Sequence, residues 1–251
     1  MHRRIFFVLL LLAALIVPTA ATASAQGCVP ADTINLARHW RLQLPVDNPN
    51  QSGNQPLEIS QPQLDGYTHN PWYVANSSCN GIRFRAAVNA VTTPNSTYGR
   101  SELRETRSDG TGGASWSSTS GTHTMIVNQA FTHLPATKQH VVAGQIHDGN
   151  DRSTFRLEGR NLYVTRDDDA RYHLVTSNYT LGTRFEAKFV VSGGNIRAYY
   201  NGVLQTTIPV SFTTGYFKAG VYTLANCTNS SPCNSGNYGE VVIYGLSVTH
   251  R

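Results

Sequence analysis

The chain of 251 residues is short of charge, and Asp, Glu, Lys and Arg make up only 14 % of it. It has no basic run of the kind that tracks a nucleic-acid backbone, so a nucleic-acid partner is not expected. No segment carries the spacing of an amphipathic helix, and no repeat of fixed period occurs. After residue 25 no apolar run approaches the length needed to cross a bilayer. No Gly-x-Ser-x-Gly elbow is present, which removes the usual serine-hydrolase arrangement. Asp167-Asp168-Asp169 lacks the ligand spacing and glycine of a calcium loop and reads as a solvated turn. Only four cysteines occur, and their spacing does not resemble a zinc site.

What is present begins with a leader. Arg3 and Arg4 precede a continuous apolar run from Ile5 to Val17, and Ala23-Ser24-Ala25 supplies small residues before Gln26. Residues 1–25 therefore read as a secretory signal peptide, with 26–251 as a single soluble, exported domain. Loss of Arg3 and Arg4 leaves 18 basic against 15 acidic residues, so the net charge falls from +5 to +3. That mild excess suits a polyanionic partner without demanding one. In an oxidising compartment the four cysteines predict two disulfides, with Cys227–Cys233 and Cys28–Cys79 preferred among the three possible pairings. Asn-x-Ser/Thr sequons stand at Asn76, Asn95, Asn178, Asn226 and Asn229.

Residues 28–80 look irregular, apart from a short strand signal at Trp40 to Leu44. From Gly81 onward, short apolar–polar alternations are separated by turn residues. Strands are predicted over Thr122–Ala130, His140–His147, Thr154–Leu157, Leu162–Thr165, Phe185–Ser192, Ile196–Tyr200, Val203–Ile208, Tyr216–Thr223 and Tyr238–Val248. Hairpins are predicted at Glu158-Gly159-Arg160-Asn161, Gly193-Gly194-Asn195 and Asn201-Gly202. The fold class is all-β, a large antiparallel sandwich of jelly-roll type.

Three of the strand segments carry chemistry on one face. In Arg100-Ser101-Glu102-Leu103-Arg104-Glu105, alternation puts Arg100, Glu102 and Arg104 together. Alone, this is also the pattern of a solvated salt-bridge ladder. In Gln145-Ile146-His147 the two polar residues share a face, and a single histidine there is more commonly a structural one. In Tyr216-Phe217-Lys218-Ala219-Gly220-Val221-Tyr222, the residues Tyr216, Lys218 and Tyr222 share a face with Gly220 leaving a gap. Merged onto one concave surface, these groups fit a polyanionic sugar chain: rings pack on pyranose faces and cations meet carboxylates.

Such a chain can be broken without water by β-elimination. The C5 proton of a uronate is weakly acidic because it lies beside the C6 carboxylate. Its removal puts a second negative charge on that group, which donors aimed at the carboxylate would stabilise. Arg100, Gln145 and His147 could supply them. A base must take the C5 proton and an acid must protonate the leaving O4, and His147 and Tyr222 are the candidates. Nearby cations are expected to lower the Tyr222 pKa. No metal or other cofactor is required where side chains neutralise the carboxylate.

Arg-Ser-Glu-Leu-Arg at 100–104, Gln-Ile-His at 145–147 and Tyr-Phe-Lys-Ala-Gly-Val-Tyr at 216–222 resemble the motifs of the alginate lyases of polysaccharide lyase family 7. The segments 40–47 and 238–244 resemble that family's opening and closing strands. The resemblance implies a jelly roll with a substrate groove on its concave sheet. It also implies endolytic cleavage of alginate to oligosaccharides with an unsaturated uronate at the new non-reducing end. It implies that Arg100, Gln145, His147 and Tyr222 are catalytic and that Glu102, Arg104, Tyr216 and Lys218 line the groove. For guluronate it makes His147 the base and Tyr222 the acid, because the C5 proton and the leaving oxygen lie on opposite faces. For mannuronate Tyr222 could serve as both. Ile146 leans the reading toward guluronate-containing blocks. Thr223-Leu224-Ala225 departs from the Asn-Gln that often follows the third motif and leaves subsite preference open. The expected protein is a secreted monomer that takes alginate and no membrane or nucleic-acid partner.

Two other readings remain at this level. A non-catalytic polyuronate-binding module needs no acid/base pair, and a lyase for another polyuronate such as glucuronan needs only a different groove. A glycoside hydrolase would use two carboxylates, whereas Glu102 is the only acid on the three motif faces.

Overall fold

The structure is a computed structural model that describes residues 27–36 and 39–251; the expected signal segment lies outside the described residues. Fifteen strands form two sheets. In chain order they are β1 (Trp40–Asp47), β2 (Pro56–Ile59), β3 (Tyr73–Ala75), β4 (Ile82–Ala87), β5 (Arg100–Glu105), β6 (Thr122–His133), β7 (His140–His147), β8 (Asp151–Glu158), β9 (Asn161–Arg166), β10 (Asp169–Thr176), β11 (Phe185–Ser192), β12 (Asn195–Tyr200), β13 (Val203–Pro209), β14 (Tyr216–Thr223) and β15 (Tyr238–His250). One sheet runs β10-β9-β8-β7-β14-β5-β1-β2 and the other β13-β12-β11-β6-β15-β4-β3. The named strand pairs are antiparallel, so the expected jelly-roll sandwich is what forms.

Alternation decides which side chains enter the space between the sheets. In β11, Phe185, Ala187, Phe189 and Val191 are buried while their neighbours are half-exposed. From the opposite sheet, Leu103, Ile146, Phe217, Ala219 and Val221 meet them. A residue such as Phe189, 1 % exposed, stabilises by burial, and its truncation to alanine would cost about 3–5 kcal/mol. The predicted hairpins form where glycine and asparagine supply positive φ: Gly193 and Gly194 at 55° and 71°, Asn201 and Gly202 at 49° and 79°.

The N-terminal region is more ordered than its composition predicts. It holds β2, β3 and a helical turn at Pro30–Thr33, and β1 continues to Asp47 through Pro45. Proline is tolerated there because the β1–β2 ladder breaks its register between Gln43 and Asp47. The sequence reading also omits β10, whose side chains are mostly half-exposed or exposed, as befits an edge strand. Both preferred disulfides form, Cys28–Cys79 and Cys227–Cys233.

Glu105, at the end of β5, points inward and is 2 % exposed. Its Oε2 accepts from Trp116 Nε1 at 3.1 Å and from the Phe217 backbone N–H at 2.8 Å. Its Oε1 meets His250 Nε2 at 2.5 Å. The His250 and His123 Nδ1 atoms are 2.7 Å apart. His123 Nε2 faces the carbonyls of Ser117 and Ser120 at 3.0 and 2.9 Å.

Candidate active site

Strand register assembles the three motifs. β14 lies between β5 and β7 and pairs Lys218 with both Arg104 and Gln145, Gly220 with Glu102, Tyr222 with Arg100, and Tyr216 with His147. All eight residues singled out in the sequence therefore share the outer face of the eight-stranded sheet. Seven of them line one cleft of about 390 Å³, and Gln145 is packed beneath it. Gly220 permits the close approach of β14 to β5. Its φ is +145°, and a Cβ there would sit 2.5 Å from Ser101 O and 2.7 Å from Glu102 Cα, so a larger residue would part the strands.

Glu102 is the hub. It accepts from Gln145 Nε2 in a short hydrogen bond, pairs with Lys218 Nζ at 3.2 Å and lies 3.7 Å from Arg100 NH1. Held by three donors at 3 % exposure, it is an anchoring carboxylate and not a proton donor. Burial lowers the Lys218 pKa, against the opposing pull of Glu102. On either side of this hub an arginine stacks on a tyrosine: Arg100 over Tyr222 at 4.3 Å and Arg104 over Tyr216 at 4.1 Å. No described residue partners the buried Nε atoms of Arg100 and Arg104 or Oε1 of Gln145.

His147 is stacked on Tyr216, and its Nδ1 lies 2.7 Å from the Tyr216 hydroxyl. The Gly149 backbone N–H donates to the same Nδ1 at 3.0 Å, and Nε2 lies 3.3 Å from Asp151 Oδ1. Burial, reinforced by Lys218, Arg100, Arg104 and Arg152, pushes the imidazole pKa down to about 3. The ring is neutral at ordinary pH. The Tyr222 hydroxyl meets Ser96 Oγ at 3.0 Å. Its pKa is raised, because burial outweighs the Ser96 hydrogen bond and the Arg100 charge. This corrects the expectation of a lowered value: the phenol is a protonated acid, not a tyrosinate.

The alternating motifs do not reveal the rest of the cleft wall. Gln43 and Glu58 come from β1 and β2, Thr93, Asn95 and Ser96 from the loop before β5, and Gly149, Asn150 and Asp151 from the turn after β7. Asn95 and Ser96 were visible only as part of a sequon, and nothing in the local pattern marks Asp151. Among the described residues, no three His, Cys, Asp or Glu side chains gather as metal ligands would, and no helix is long and apolar enough to cross a membrane. A second cleft shares Asp151 and Tyr222 with the first and continues past them to Arg156, Thr165 and Asp168.

A family profile described as alginate lyase matches residues 34–250. The chain belongs to the alginate lyases of polysaccharide lyase family 7. The alginate lyase from Corynebacterium sp. is 55 % identical over 89 % of this chain and 98 % of its own, with a TM-score of 0.85. A second family 7 alginate lyase is 44 % identical over 89 % of this chain and 99 % of its own, with a TM-score of 0.81. A third, 25 % identical over 88 % of this chain and 96 % of its own at a TM-score of 0.72, was crystallised as a His→Asn/Tyr→Phe double variant with a substrate, GGMG. No curated protein sequence matches the chain. This lyase is thus a polysaccharide lyase with alginate as its substrate, and the sequence motifs that resembled the family lie together on one sheet face.

Proposed function

We propose that the lyase cleaves alginate endolytically by β-elimination, with a lean toward guluronate-containing blocks. The observation that carries this reading is the pairing of a neutral His147 with a protonated Tyr222 around the Arg100–Glu102–Lys218–Gln145 cluster. A base must be unprotonated and an acid protonated before the substrate arrives, and burial sets both states. Arg100 faces the C6 carboxylate and stabilises the charge that develops on it, while Gln145 holds Glu102 from beneath. Arg104, Lys218, Tyr216 and Glu102 bind and orient the chain. In guluronate His147 takes the C5 proton and Tyr222 protonates O4 from the opposite side. In mannuronate Tyr222 performs both steps. The relative trapped with a substrate by replacing one histidine and one tyrosine supports these two assignments.

The two clefts that meet at Tyr222 and Asp151 support the endolytic mode, since sugar units could lie on both sides of the reacting bond. Residues 1–25 act as a secretion signal, 26–251 form one catalytic domain, and the enzyme works outside the cell as a monomer.

The test is ultraviolet absorbance over time on polyguluronate and polymannuronate, with a chelator present, together with the size distribution of early products. A rise on both, faster on polyguluronate, with long oligomers appearing first is expected. Products without an unsaturated ring, or single unsaturated units from the outset, would overturn the reading.

A further inference from the structure

A carboxylate is out of place in a groove that binds a polyanion, yet Asp151 lines the cleft with 42 % of its side chain exposed. Its neighbour Asp148 is occupied by Arg152, with contacts of 2.8 and 3.0 Å. Asp151 instead faces His147. The register pairs Tyr216 with His147 and His147 with Asp151, so the three form one row across β14, β7 and β8.

The row fixes where the imidazole proton sits. A backbone N–H can only donate, so the Gly149 bond makes His147 Nδ1 an acceptor. The Tyr216 hydroxyl donates to the same atom. The proton of the neutral ring is then on Nε2, 3.3 Å from Asp151 Oδ1. We propose that Asp151 is the positioning residue of His147: it holds the Nε2–H tautomer, leaves Nδ1 as the basic atom, and stabilises the imidazolium formed when Nδ1 takes a proton. This rests on the reading of His147 as the guluronate base. The other charged groups facing the ring, Lys218, Arg100, Arg104 and Arg152, are cationic and oppose that imidazolium. Asp151 supplies the opposing negative charge.

The step balances within the site. Nδ1 takes the C5 proton, and the C5–H electron pair becomes the C4–C5 double bond. The C4–O4 pair leaves on O4, which receives the Tyr222 proton. Imidazolium and tyrosinate remain, and transfer of one proton between them through solvent restores the enzyme.

The experiment compares Asp151→Ala, Asp151→Asn and Asp151→Glu on polyguluronate and polymannuronate. Asp151→Ala is expected to lower kcat on polyguluronate about 10–100-fold, by analogy with removal of the partner that orients a metal-bound histidine. KM should change little, and the loss on polymannuronate should be at least several-fold smaller. Glutamate should restore part of the rate. Equal losses on both polymers, or a change in KM alone, would overturn the proposal. Nitrogen-15 spectra of the histidine-labelled enzyme without substrate should show His147 protonated at Nε2, and a proton on Nδ1 would also overturn it. That spectrum needs no turnover, so it separates failure of this proposal from failure of the guluronate reading.

Discussion

His147 and His250 each meet a carboxylate, at 3.3 Å from Asp151 and 2.5 Å from Glu105, but their surroundings differ. At the end of the sandwich, each polar atom of the network has a partner. His123 Nε2 must donate to two carbonyls, one proton must lie between the two Nδ1 atoms, and one must lie between His250 and Glu105. Three protons shared over two rings and a carboxylate therefore each have an acceptor. In the groove, by contrast, Arg100, Arg104 and Gln145 keep buried polar atoms that no described residue meets. A closed network stabilises the fold, whereas the unpartnered atoms that line the groove are free to meet a ligand. Both histidines have partners on each ring nitrogen; what differs is the unpartnered donors and acceptors that surround His147.

The largest break in this comparison comes from Tyr222→Phe. Loss of the acid should reduce kcat by about 10²–10⁴-fold while thermal unfolding barely moves. Comparable turnover by the variant would refute the role given to Tyr222. The mirror case is Glu105→Ala, which strands Trp116 Nε1, the Phe217 N–H and the His250 proton. It should cost about 3–5 kcal/mol of stability in denaturant unfolding, with kcat per folded molecule largely retained. A stable but inactive Glu105→Ala would erase the distinction between the two regions.

A smaller effect is expected from His250→Ala, which leaves Glu105 its two N–H donors. The loss should be about 1–3 kcal/mol, and an equal or larger loss than Glu105→Ala would mean that the histidines, not the carboxylate, organise that end.

The remaining contrast is in pH dependence. His147 has a folded pKa of about 3 against the ordinary 6.5, so between those values the unfolded chain binds more protons than the native one. Its contribution to stability is therefore present above about 6.5 and is lost as pH falls toward 3. His147→Gln should flatten that slope, and titration of the His147 ring by NMR should show no protonation near pH 6. A ring that titrates there would remove the neutral base.

The groove was legible because a period of two survives translation from sequence to sheet: once Arg100–Arg104, Gln145–His147 and Tyr216–Tyr222 are strands, their faces follow. The glycine-bearing hairpins were legible for the same local reason. What was hidden is contact at long range or weak burial. Glu105 and His250 lie 145 positions apart, β10 has no buried stripe, and Asp151 looks like any polar turn residue until the register seats it against His147. The Tyr222 pKa was misjudged because the sequence shows Arg100 but not the depth at which the phenol is packed.

Gly220 has a consequence for evolution and for engineering. A methyl group there would press into the backbone of the neighbouring strand, so any side chain at this position must part β14 from β5. Diversity in substrate preference must be explored around this fixed point, in the loops that carry Asn95, Ser96 and Asn150. A library built on the floor of the groove should keep this one position as glycine. A library confined to its rims keeps the ancestral frame and still reaches new sugars.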